Sequence, residues 1–380
     1  MIMVHDYPPL SGGGLALAAL DLAALLADRY EFRIVSARSR DHFADDRGRL
    51  RAASTWLCAS PWRLLRWAPD ADLVVVHWTF SFRWLSTLAA AVVPLTGCPT
   101  VLIIHTAPEH ARHNRLRVLP DWVRRLLLGL AARLTRRHSC VAALSHAHAL
   151  ELRDAGIRPT HVLPLPVRPA DGPGVHRARG PVGVVGFAGE LSVLKGADLL
   201  PGLMAALTPR WRMRIAGAGP LSGAVLKAVD ALPSARRQRV CLLGAVAPEH
   251  MPSFYRSVDF LLVVSRTESQ CRVALEAMLA GVVVLAGRAG GLTDIVVDGK
   301  TGFLVDPARP AELRALLDRL SADRAVLDRV RRTARASALA AFEASRADWS
   351  RLLMELVPSG AGRENLPYRR LSHKRHQTLP

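Results

Sequence analysis

Long apolar runs are missing from this chain. No stretch reaches the roughly eighteen apolar residues without a charge that a transmembrane helix needs. The region from Trp84 to Ile104 comes nearest, but Pro94, Gly97 and Pro99 break it. No basic segment precedes an apolar one at the N-terminus, so a signal peptide is not expected. Cysteine is sparse: Cys58, Cys98, Cys140, Cys241 and Cys271 are scattered without a Cys-x-x-Cys pair. That spacing argues against a structural zinc site and for a reducing cytosol. Lysine is scarcer still, limited to Lys195, Lys227, Lys300 and Lys374. The net charge of +19 therefore comes almost wholly from arginine.

What the chain does have is length and apolar material. Its 380 residues suggest two or three domains, and half are apolar, enough for large cores. A surface of this charge attracts nucleic acid, anionic lipid or phosphorylated ligands, unless the arginines merely reflect compositional bias. The clustering is more specific. Arg112 to Arg137 holds eight arginines and one acid, Asp121, interleaved with leucines and Trp122. Such a segment suits either the headgroup layer of an anionic membrane or an ordinary arginine-faced surface helix.

Strand and helix patterns alternate throughout, which predicts a doubly wound α/β chain. Strands are expected at Ile2–His5, Phe32–Ser36, Leu73–His77, Thr100–His105 and Cys140–Leu144, with helices at Leu15–Ala27 and Leu126–Arg136. A Pro/Gly-rich stretch at 168–181 reads as a linker. The pattern restarts with Val182–Ala188, Trp211–Ala216, Val240–Leu243, Phe260–Val264, Val282–Ala286 and Gly302–Val305. Ala311–Leu356 reads as helical and residues 359–380 as a polar, basic, disordered tail.

Two glutamates eight apart, Glu268 and Glu276, carry the chemistry. Glu268 falls in a loop after the strand Phe260–Val264, and Glu276 in the first turn of a helix over Cys271–Ala280. Ligands of open α/β sheets bind at the carboxyl ends of strands, so the two carboxylates can meet in one crevice. Glycine-bearing turns follow several strands, at Gly12-Gly13-Gly14 and at Gly217-Ala218-Gly219-Pro220. Glycine permits close backbone approach, and helix N-terminal amides then hold an anion. With Gly223 the second turn makes GxGxxxG, a weak dinucleotide signal without the acidic residue that would bind a ribose.

From Gly189 to Pro307 the chain resembles the donor domain of retaining GT-B glycosyltransferases of family 4. The matching pieces are Gly189-Glu190-Leu191, Lys195-Gly196, Gly217-Ala218-Gly219-Pro220, Leu243-Gly244-Ala245-Val246 and Ser265-Arg-Thr-Glu268. Glu276-Ala-Met-Leu-Ala-Gly281 and Gly290-Gly291-Leu-Thr-Asp294 through Gly302 complete them. The first half is looser, with His77 and His105 at strand ends, Ser145 and a Pro164-Leu-Pro-Val167 step. The resemblance implies two Rossmann-like domains facing a cleft: 1–167 on the acceptor side, linker 168–181, donor domain 182–335, and a helix 336–358 crossing back.

It also implies residue roles. Glu276 would accept hydrogen bonds from ribose hydroxyls, and Glu268 would sit by the donor sugar. Backbone amides at Gln270, Cys271 and Arg272 would hold sugar or phosphate. Lys195 would neutralise the departing diphosphate, as a cation suits developing phosphate charge. Gly12 and Gly13 would approach the diphosphate, Gly217 and Gly219 would line the donor site, and His105 would contact the sugar from the acceptor side. Glu190 stands where the family has an arginine. Either Arg272 or Arg266 supplies that charge, or Glu190 turns away, or activity is impaired. Glu-Ser-Gln-Cys-Arg replaces the common Glu-Gly-Phe-Gly, with bulkier side chains by the sugar.

The activity implied is retaining, metal-independent transfer of a hexose from a nucleotide-diphospho sugar, with no cofactor. The acceptor would be a glycan or lipid-linked, as in surface polysaccharide biosynthesis. The enzyme would then be cytoplasmic and peripheral at the inner membrane face, held through Arg112–Arg137, with no nucleic-acid partner. The alternatives are a nucleotide-sugar epimerase or NAD(P)-dependent enzyme, and a non-catalytic basic membrane or nucleic-acid binding protein on a degenerate transferase fold.

Overall fold

The computed structural model describes residues 2–5, 14–26, 30, 33–36, 55–58, 66–79, 84–106, 120–169 and 183–357. Gly12, Gly13, most of the expected linker, the expected tail and residues 112–119 of the basic segment lie outside them.

The first half is built from strands β1 (Ile2–His5), β2 (Arg33–Ser36), β3 (Thr55–Cys58), β4 (Val74–Trp78), β5 (Thr100–Ile104), β6 (Cys140–Ala143) and β7 (His161–Val162). Among them lie helices α1 (Gly14–Leu26), α2 (Trp84–Val92), α3 (Asp121–Thr135) and α4 (His146–Asp154). The strands form one parallel sheet in the order β3-β2-β1-β4-β5-β6-β7. β4 and β5 are buried along their whole length, as strands covered on both faces should be. Alternate residues feed two cores: Val74, Val76, Leu102 and Ile104 meet α2, α3 and α4, while Val75, Val101 and Ile103 meet α1.

The second half repeats the plan. Its strands are β8 (Gly183–Ala188), β9 (Trp211–Ala216), β10 (Val240–Gly244), β11 (Phe260–Val263), β12 (Val283–Ala286) and β13 (Phe303–Leu304). Its helices are α5 (Leu200–Ala206), α6 (Ser222–Asp230), α7 (Ser234–Arg237), α8 (Met251–Arg256), α9 (Arg272–Leu279), α10 (Leu292–Ile295), α11 (Pro310–Ala322) and α12 (Arg324–Leu356). The sheet order is β10-β9-β8-β11-β12-β13, again parallel.

α12 joins the halves. Leu327 and Val330 pack in the core of the second half, whereas Trp349, Leu352 and Leu353 pack in the core of the first, beside α1. The single helix expected over Ala311–Leu356 is interrupted at Asp323, whose side chain accepts from the Val326 amide at 3.0 Å and caps α12. A short acidic side chain at that point favours a cap over helix continuation. α3 begins earlier than expected, directly after Pro120. The apolar spacing marked Leu126, but proline and then Asp121 mark a helix start. β3 and β7 had no clear period-2 signal and were absent from the expectation.

Candidate active site

β8 pairs with β9 on one side and β11 on the other, so the sheet order reverses between β8 and β11. Loops leaving such a point diverge and open a crevice. The two charged residues expected at the chemistry lie in these loops. Gly196, at φ +74°, lets the β8 loop settle on the end of β11; a Cβ there would lie 2.2 Å from the Val264 carbonyl oxygen. That approach delivers Lys195 Nζ to 2.7 Å from Glu268 Oε1. Ser265 Oγ donates to the same oxygen at 2.6 Å.

Glu268 is 7% exposed. Its own backbone is pinned from below: the Gly291 amide donates to the Glu268 carbonyl at 2.7 Å. At Gly290 a Cβ would lie 2.2 Å from that carbonyl oxygen. Burial works against the Lys195 ammonium, but its side chain remains 30% exposed and Glu268 faces it directly. The net effect raises the Lys195 pKa above its ordinary value. The site therefore holds a charged lysine beside a buried carboxylate.

Glu276 is the fifth residue of α9, which begins at Arg272, so it lies in the second turn and not the first. Both Glu276 oxygens are held: Tyr255 Oη donates to one at 2.7 Å, and Arg272 Nε to the other at 2.6 Å. Burial, then Glu276, pushes the Tyr255 phenol well above its ordinary value, which keeps it a donor. Cys271 sits between the glutamates. Burial and then Glu268 push its thiol well up, with Glu276 adding to the effect. Its φ of +61° is left-handed, the region where a side chain costs about 1–2 kcal/mol and glycine is at ease.

The loop expected at the donor also contacts the first half. Ser269 Oγ donates to the His105 carbonyl at 2.8 Å, which brings His105 to this loop. His105 Nε2 lies 2.8 Å from His77 Nδ1, and the rings stack at 5.0 Å. Arg272 also forms an ion pair with Asp21 of α1. The side-chain amide of Gln270 contacts Leu165, outside the charged crevice. Asp294 Oδ2 accepts from the His146 amide at 2.6 Å, placing a carboxylate at the start of α4.

Gly217 packs on the β8 turn, where a Cβ would lie 1.8 Å from the Gly189 carbonyl oxygen. Gly219 packs on Leu191 of that turn and on Glu190, so both glycines shape the wall next to Lys195. The charge missing at Glu190 is not made good by Arg266, which grips Asp198 through two nitrogens at 2.7 and 2.8 Å. Arg272 is shared between Glu276 and Asp21, while its Nη1 is buried without a hydrogen-bond partner. Glu190 is itself exposed. Tyr255 and Asp21 were not anticipated, and Ser265 was named in the Ser-x-x-Glu motif without a role. Ser265 alone had a signal, its spacing of three before Glu268.

Two parallel Rossmann-like sheets, bridged by a long helix and meeting at a charged crevice, are the GT-B architecture. Residues 12–171 match the family model described as Glycosyltransferase Family 4, and residues 183–323 match Glycosyl transferases group 1. The chain belongs to this glycosyltransferase family. A D-inositol 3-phosphate glycosyltransferase of Frankia alni is 32% identical over 289 residues, covering 70% of this chain and 70% of the relative. One of the same name from Nocardia farcinica is 37% identical over 157 residues, 39% of this chain but only 34% of that protein's length. Among solved structures, Anabaena HepE in complex with UDP and glucose has a TM-score of 0.76 at 20% identity, over 93% of this chain and 99% of that one. Sucrose-phosphate synthase from Thermosynechococcus elongatus has a TM-score of 0.71 at 19% identity, over 93% and 98%. These two share the fold.

Proposed function

We propose that the protein transfers a hexose, with retention, from a nucleotide-diphospho sugar to a hydroxyl of a glycan or lipid-linked acceptor, without a metal. The observation that carries this reading is the Lys195–Glu268 pair at the point where the sheet order reverses, with Glu276 one helix away. Lys195 receives the charge that develops on the departing diphosphate. Its partner Glu268 keeps it protonated and accepts from the sugar hydroxyls. Glu276, oriented by Tyr255 and Arg272, accepts from ribose hydroxyls. The acceptor hydroxyl enters from the His105 side, on the face the nucleotide leaves. The solved relative named for UDP and glucose supports a uridine donor.

The acceptor reading rests on α3. Trp122, Leu126 and Leu130 are 68%, 64% and 52% exposed. They are spaced by four, so they form one apolar stripe, flanked by exposed Arg125, Arg133 and Arg137. That surface suits an anionic membrane and hence a lipid-linked acceptor at the inner face. A phosphorylated cyclitol is the second reading, favoured by the Frankia alni relative.

Calorimetric titration with UDP-, GDP- and ADP-sugars and NADP tests the donor. One nucleotide sugar should bind, and Glu276→Ala should weaken it tenfold or more, since a hydrogen bond to a charged group is worth about 1.5–3 kcal/mol. Binding of NADP alone would overturn the reading.

A further inference from the structure

Gln270 occupies the place where the family pattern has phenylalanine, and it does something an aromatic ring cannot. A side-chain amide offers one acceptor and two donors. Gln270 Oε1 accepts from the Leu165 amide at 3.0 Å, and Nε2 donates to the Leu165 carbonyl at 2.7 Å. The pairing has the two-bond form of a sheet ladder, and it fixes which end of the amide is which. Leu165 lies between Pro164 and Pro166, which have no amide hydrogen. Gln270 thus takes the one backbone donor of that tripeptide.

Leu165 belongs to the segment that leads out of the first sheet toward the second. One residue earlier, the Pro164 carbonyl accepts from Ser345 Oγ at 2.7 Å and Trp349 Nε1 at 3.0 Å, both on α12. The segment is therefore held by both the crossing helix and the donor loop. Beside it lies a cavity of about 300 Å³ lined by Leu165, Gln270, Ile295 and Phe342 among others. The same loop touches the first half through Ser269 and Arg272, and two residues before Gln270 stands Glu268 with its lysine.

We infer that Gln270 is a positioning residue that ties the Glu268 loop to the interdomain segment, so that the relative placement of the two sheets sets the aim of Glu268 and Lys195. The inference rests on the transferase reading for its kinetic consequence only. Gln270→Leu removes both bonds and should lower kcat by about ten- to a hundredfold, the scale of a slightly misplaced catalytic group. UDP affinity by calorimetry should stay within about twofold, because Glu276 is untouched. Gln270→Glu gives a sharper readout. Ionised, it can accept from the Leu165 amide but repels the carbonyl; protonated, it offers the same acceptor and donor as the amide. Its kcat should therefore recover toward the wild-type value as the pH falls, while Gln270→Leu shows no such rescue. Small-angle scattering without ligand should show a larger radius of gyration for Gln270→Leu than for wild type.

Wild-type kcat in Gln270→Leu, or a Gln270→Glu profile that parallels wild type, would overturn the inference. Should the wild type transfer from no nucleotide sugar, the functional reading falls, and scattering alone decides the tether: an unchanged radius in Gln270→Leu refutes it.

Discussion

The two sheets follow the same strand order, the first carrying one further strand at its edge, yet the ends of their central strands hold different chemistry. The second sheet presents a lysine and two held carboxylates, Lys195, Glu268 and Glu276. The first carries a stacked histidine pair, His77 and His105, at the ends of the adjacent strands β4 and β5, of which only β4 borders its reversal point. Shared architecture therefore says where a site forms and nothing about its charge, which the loops supply. The halves differ in the same way in their buried ionisable groups. The second half buries charge in pairs. The first half buries a neutral base: His138 Nε2 donates to the Ala90 carbonyl at 2.9 Å, and Nδ1 accepts from the Thr100 hydroxyl at 3.1 Å.

The sharpest way to break this comparison is to remove the lysine. Lys195→Ala removes the ion pair of the buried Glu268 and leaves it, among the described residues, the Ser265 hydrogen bond. Transfer should fall by about a hundred- to a thousandfold in kcat, the range for losing one preorganised electrostatic stabiliser. An equal loss from His105→Ala in steady-state assays would erase the distinction between the charged pair and the histidine pair.

A pH titration of stability separates the halves next. Burial holds His138 down at about 4, against an ordinary 6.5, with the Ala90 hydrogen bond opposing the shift. Between those values the unfolded chain binds a proton that the folded chain refuses. Stability is thus complete above pH 6.5 and is lost as the pH falls toward 4, by about 3 kcal/mol. Lys195 behaves oppositely. Its raised pKa makes the contribution of its ion pair complete below 10.5 and lost as the pH climbs through the folded value. Urea melts of His138→Gln should lose most of the acid slope and keep the alkaline one.

The smallest effect concerns the outer face of the first half. Trp122→Ser together with Leu126→Ser should reduce sedimentation with anionic vesicles severalfold, and added salt should reduce it further for the wild type. Equal binding of the double variant and the parent would remove α3 from the membrane proposal.

The second half was far more legible in the sequence than the first. Its loops must bring backbone within contact distance at Gly196, Gly217, Gly290 and Gly291, and such approaches leave glycines at fixed offsets. The glutamate spacing survived for the same reason. The partners of those groups left no local trace. Tyr255 reaches Glu276 across 21 positions and Asp21 reaches Arg272 across 251, contacts that only the fold creates. Gln270 was expected at the donor site through its backbone, but no periodicity could show that its side chain runs to Leu165. The helix break at Asp323 was missed because apolar spacing continues on both sides while the capping oxygen decides the geometry.

The course of α12 also bears on how the chain comes to be made. The core of the first half contains Trp349, Leu352 and Leu353, contributed from near the far end of the described chain. During synthesis the first sheet emerges early, with the face beside α1 uncovered, and it waits for most of the remaining sequence before its last apolar partners arrive. Growth from the N-terminus ordinarily lets domains mature one after another. Here the earlier half is finished last, so chains truncated before Ser345 should be recognised by chaperones through the first half, although the cut lies in the second.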